Sequence, residues 1–148
     1  MNLDLRKLVT EYDLNSQDKE RIRYEFCFAC ASRIQHLLEQ EKALSAYRDF
    51  EDYLRGSLDQ AQFVKLQTSI LEVANRHQGS TSLDGTKHSA VSATYALANA
   101  INGNAVAAAE YAAYSKVYGY GGYATNDLDS YQEEYAEQVK ILRKLWNE

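Results

Sequence analysis

The chain has 148 residues, 45% hydrophobic and 25% charged, with a net charge of −5, no proline and seven glycines. That length and balance describe one globular domain over 1–148 and exclude a disordered chain. The negative charge argues against nucleic-acid and anionic-membrane partners, and no apolar run reaches the ~20 residues of a bilayer span.

Residues 1–14 alternate charged and apolar side chains and lack the apolar stretch of a signal peptide. With two cysteines, this predicts a cytoplasmic protein with reduced thiols. Residues 3–13 are expected to form a short helix with Leu5, Leu8 and Tyr12 on one side. A second helix should start after Asn15, with Asp18 in a capping pair, and run to about Gln40 through Ile22, Phe26, Cys30, Ile34, Leu37 and Leu38. A shorter helix from Ala43 to Arg55 turns Leu44, Tyr47, Phe50 and Leu54 inward, and Gly56 closes it. Ser57, with Gln60, should open the next helix, whose face carries Phe63, Leu66, Ile70, Val73 and Ala74, with His77 continuing it and Gly79 ending it.

After the connection 79–86 comes the stretch on which the fold should be centred. Residues 88–118 read as two alanine-rich helices joined at Asn102-Gly103-Asn104, with Gly103 left-handed and Asn104 as N-cap. Neither helix has a polar face, so both belong inside, and alanine lets their axes approach towards ~8 Å. Enlarging Ala98 or Ala108 should therefore be costly, and enlarging Ala43 less so. A glycine-rich loop, 119–125, then leads to a last helix capped by Asn126, with Leu128, Tyr131, Tyr135, Val139, Leu142 and Trp146 on one stripe. The expected fold is an all-α bundle of six or seven helices around the central hairpin.

The chemistry-bearing residues are sparse. Cys27 and Cys30 form a C-x-x-C about three turns into a helix, with no second ligand pair, so they read as buried small hydrophobes rather than a redox or zinc motif. His88, served by Asp84 or Ser89, is the one candidate catalytic histidine, without a nucleophile motif beside it. Glu133, Glu134 and Glu137 face Lys140 and Lys144 as a solvated surface would, and Asp49, Glu51 and Asp52 form a second acidic cluster. The glycine-rich loop lacks phosphate-binding spacing. Tyrosine is the unusual feature, with Tyr111, Tyr114, Tyr118, Tyr120 and Tyr123 close together. Tyr111 and Tyr114 are expected to fill the core, and Tyr120 and Tyr123 to be exposed anchors.

Three segments, YEFCFACASRIQHLLE, the hairpin and YQEEYAEQVKILRKLW, resemble the Imm5 group of bacterial immunity proteins, which accompany polymorphic toxins. The likeness covers roughly 24–146 and includes a centre of the type Cys30-Ala31-Ser32-Arg33; where the family's alanine-rich segment carries histidines, Tyr95 and Asn99 stand here. The resemblance implies a non-enzymatic protein, without cofactor or metal, that neutralises a cognate toxin domain by binding it. The surface expected to bind is Tyr118, Tyr120, Tyr123, Asp127, Asp129 and Glu133, with a homodimer as a further possibility. The rival reading is a small-molecule-binding bundle or enzyme with a pocket near His88 and Tyr95.

Overall fold

A computed structural model describes residues 1–77 and 86–147, without the side chains of residues 86, 87, 122 and 123. Among the described residues seven α-helices follow one another: α1 (Leu3–Glu11), α2 (Glu20–Ser32), α3 (Glu41–Leu54), α4 (Gln60–Arg76), α5 (Thr86–Ile101), α6 (Ala105–Tyr118) and α7 (Gln132–Asn147). Short 3-10 turns lie before α2, after it, and between α6 and α7, and there is no strand among the described residues. The all-α bundle expected from the apolar spacing is therefore what forms. Gly79, expected to end α4, and Asp84, expected beside His88, lie outside the described residues.

The hairpin of α5 and α6 is the centre: α1, α2 and α7 pack on α6, and α2, α3 and α4 pack on α5. Its alanines are what permit this: Ala93, Ala98, Ala100, Ala108, Ala109 and Ala112 are fully buried. The two helices also bond reciprocally, since the Ser89 hydroxyl donates to the Ser115 carbonyl and the Ser115 hydroxyl to the Ser89 carbonyl, each at 2.8 Å. The hydroxyl proton of Ser89 is thus spent inside the seam.

Gly103 turns the corner at φ +73. The amide of Asn104 reaches the Asn99 carbonyl and that of Gly103 the Ala100 carbonyl, closing α5 with a paired C-terminal motif. A Cβ at Gly103 would lie 3.2 Å from the Tyr24 ring, so glycine is required there for backbone and for space. Gly56, at φ +86, ends α3 with the same bond pattern, as its sequence position predicts. Asn104 differs from expectation: its side chain donates to Asn99 Oδ1 at 3.1 Å and caps no amide.

Other boundaries differ for local reasons. The second helix stops at Ser32, eight residues early, where the Ser32 hydroxyl donates to the Phe28 carbonyl at 2.9 Å and bonds Tyr47. Ile34 and Leu38 are buried all the same. The cap of α4 is Asp59 with Gln62 in a reciprocal capping box, two residues beyond the expected Ser57 and Gln60, because Ser57 is used to close α3. Asp127, not Asn126, caps the turn leading to α7. Ala43 is as closed off as Ala98 and Ala108, so its expected tolerance to enlargement does not follow.

Candidate functional site

Cys27 and Cys30 are free and wholly buried, as expected of small hydrophobes. Burial pushes the Cys27 thiol up to about 12 and Cys30 well up too, which leaves neither as a nucleophile near neutral pH. Among the described residues no group of three or more His, Cys, Asp or Glu side chains is placed to hold a metal ion. No helix among them is long and apolar enough to cross a membrane.

The tyrosines instead meet in three groups of ring contacts. α5 and α6 run antiparallel, which sets His88 against Tyr118, with ring centroids 5.0 Å apart, and Tyr95 against Tyr111 at 5.5 Å. Tyr114 meets Tyr118 at 5.5 Å along α6. Beyond α6, Tyr131 and Tyr135 of the α7 approach stack at 5.4 Å. Tyr111 is 40% and Tyr114 37% exposed, contrary to the expectation that they fill the core. The alanines beneath them, Ala108, Ala109 and Ala112, already close the inner side of α6, so the large rings remain outside. Tyr120 is exposed, as expected, and Tyr118 is half-buried. The side chain of Tyr123 lies outside the described residues.

Between the helices, Ser92, Val106, Ala107, Tyr111 and Tyr114 line an open groove of about 590 Å³, bounded by Arg6 and Glu110. It lies one turn from Tyr95, and His88 does not line it. The Tyr95 hydroxyl donates to Asn75 Oδ1 at 3.0 Å, and the His88 ring lies against Tyr118.

Glu110 takes Arg6 by both oxygens, at 2.8 Å each, and also accepts the Asn2 amide. The Arg6 hydrogen bond holds the Glu110 carboxyl below its usual range. Asn2 is itself buried and bonds Gln138, whose amide reaches the Ala109 carbonyl, so the first residues are tied to α6 and α7 together.

Asp127, Asp129 and Glu133 are all exposed, near one another at the start of α7. Glu134 is not part of that solvated surface: only 2% of it is exposed. Arg33 donates to it from Nε at 2.7 Å and Nη2 at 2.8 Å, and Lys116 from Nζ at 3.0 Å. Burial pushes the Glu134 carboxyl up, and the two cations more than offset this, leaving it below the usual range. One charge thus comes from each of the three stretches singled out above, and the cluster locks α2, α6 and the start of α7 together. Sequence reasoning missed it, because on α7 the buried stripe is Glu134, Gln138 and Leu142 and two of the three are polar. Leu128, expected on that stripe, is 77% exposed, its place taken by Tyr131, whose hydroxyl bonds the Thr125 carbonyl at 3.0 Å.

Comparison of the chain with protein-family models, with curated proteins and with solved structures gave no match.

Proposed function

We propose that the chain is an immunity protein that neutralises a cognate bacterial toxin by stoichiometric binding, as its resemblance to the Imm5 group implies. The observation that carries the binding part of this reading is the tyrosine face. Tyr111 and Tyr114 stand partly in water on α6, half of the closely packed hairpin, and Tyr120 is exposed in the turn just beyond it. Tyrosine on a rigid helix offers a large contact area with little entropy to lose, which suits an anchor at a protein interface. The carboxylates of Asp127, Asp129 and Glu133 follow in the chain and, with the net charge of −5, favour a basic partner through steering.

The test is co-expression with a toxin domain encoded beside this chain, followed by binding kinetics. Growth should be rescued and a one-to-one complex recovered. Tyr111→Ala with Tyr114→Ala should raise koff by roughly tenfold or more, while Asp127→Asn with Asp129→Asn should chiefly lower kon and its salt dependence. Absence of rescue with every adjoining toxin domain would sink the immunity reading.

The groove at Ser92, Tyr111 and Tyr114 favours a second reading, since about 590 Å³ lies in the size range of small-ligand sites. A small-molecule protein would respond to Ala107→Leu, which fills that groove, by losing ligand-induced thermal stabilisation. A toxin-binding protein would lose complex stability instead.

A further inference from the structure

Three of the large apolar side chains left in water gather at one place. Met1 and Leu3, each 68% exposed, and Leu128, 77% exposed, line a groove of about 510 Å³ where the start of α1 meets the approach to α7. Its floor is the apolar surface of Ala136 and Val139 with the Tyr135 ring. Leu128 is held outward by its own turn, because the Asp129 amide donates to Asp127 Oδ1 at 3.0 Å and Tyr131 occupies the inward position. A concentrated apolar patch with a polar rim is unfavourable to leave wet and marks a contact surface.

The rim decides what covers it. Asp4 lines the groove, Asp127 and Asp129 bracket Leu128, and Glu133 follows Gln132, all of them exposed. Among the described residues the one cation lining it is the Met1 amino group, which donates to the Tyr135 hydroxyl at 2.9 Å. Anionic lipid and nucleic acid are repelled by such a rim. A second copy related by a two-fold axis would set these carboxylates against their own counterparts, which is equally unfavourable.

We infer that this groove seats a cationic, apolar-faced segment of a protein partner. Its aliphatic side chains would rest on Met1, Leu3 and Leu128, and its Lys or Arg side chains on the four carboxylates. The inference does not require that the partner be a toxin; it shares Asp127, Asp129 and Glu133 with the surface proposed above and lies apart from the exposed tyrosines of α6.

The test titrates the full chain with two synthetic peptides of roughly 14 residues, patterned with helical spacing, one of leucine and lysine and one of leucine and glutamate. The leucine–lysine peptide should bind and the leucine–glutamate peptide should not. Leu3→Ser with Leu128→Ser should weaken binding roughly tenfold, and Asp127→Asn with Asp129→Asn should weaken it and flatten its salt dependence. Asp49→Asn with Glu51→Gln, on α3, should leave it unchanged. Equal binding of both peptides, wild-type binding by the leucine variant, or an equal loss from the α3 variant would each overturn the inference. If the leucine variant melts early, the wild-type methyl resonances of Leu3 and Leu128 replace it as the readout, and their failure to shift on adding the lysine peptide would count against the groove.

Discussion

Glu110 and Glu134 each hold an arginine through both carboxylate oxygens, at nearly the same distances, and the two contacts carry very different weight. The Glu110 side chain is 24% exposed and its Arg6 partner 44%, so water competes for both ends of the pair. The Glu134 side chain is 3% exposed and has given up its hydration, so its two cations are what make burial tolerable. Geometry alone does not rank ion pairs; the water each partner has lost does. Functionally the division is sensible, since the buried cluster fixes how α7 departs from α6 while the exposed pair sits at the edge of the tyrosine groove.

The largest effect should come from Glu134→Gln. It leaves two partly buried cations without their counter-charge and should cost about 3 kcal/mol by denaturant unfolding, the low end for a broken buried pair because both cations keep a wet edge. Replacing Arg33, Lys116 and Glu134 together by methionine should regain most of that loss. A triple variant as unstable as Glu134→Gln would show that the cluster supplies more than mutual neutralisation.

Next in size is the spacing that brings α5 against α6. Ala108→Leu forces extra methylenes into a position with no free space and should cost about 1–3 kcal/mol, whereas Ala136→Leu on the exposed side of α7 should change stability little. Equal melting of the two variants would mean that the hairpin is not the rigid centre on which both glutamates depend.

Acid should reveal the charge of Glu134. Arg33 and Lys116 hold the Glu134 carboxyl below its unfolded value despite burial, so its contribution is complete above about pH 4.3 and declines as pH falls through the lower folded value. The stability gap between wild type and Glu134→Gln should therefore be constant near neutrality and narrow only below about pH 4.3. A gap that narrows on raising the pH instead would reverse the sign of the interaction.

Much of the fold was legible because helical spacing of apolar residues and two left-handed glycines mark it directly. Gly56 and Gly103 end their helices where the sequence places them. What failed were ends set by competition between polar side chains, as at Ser32, whose hydroxyl takes the Phe28 carbonyl, and at Asp59, which outranks Ser57 as a cap. Only part of the tyrosine face was legible. Tyr120 stands among glycines and is exposed as expected. Tyr111 and Tyr114 were not, because a helix lined with alanine on every side gives no polar stripe to say which way its rings point. Glu134 was illegible for a different reason: its partners Arg33 and Lys116 are 101 and 18 residues away, and nothing local distinguishes it from the exposed Glu133 beside it.

The smallest effect should come from Glu110→Gln, and it is the sharpest comparison with Glu134. The substitution removes the charge under Arg6, but an amide oxygen remains to accept the Asn2 amide or an arginine N–H, and the guanidinium can turn into water. Its midpoint of thermal unfolding should fall by under about 2 °C, much less than that of Glu134→Gln. Salt should separate the two further. Raising ionic strength from about 0.05 to 0.5 M screens an exposed pair, so the Glu110→Gln difference should shrink towards zero, while the Glu134→Gln difference should persist because counter-ions cannot reach a carboxylate that solvent does not reach. If both differences fell together with salt, Glu134 would be wet in solution; if Glu110→Gln matched Glu134→Gln at low salt, bidentate geometry rather than burial would be setting the weight of these pairs.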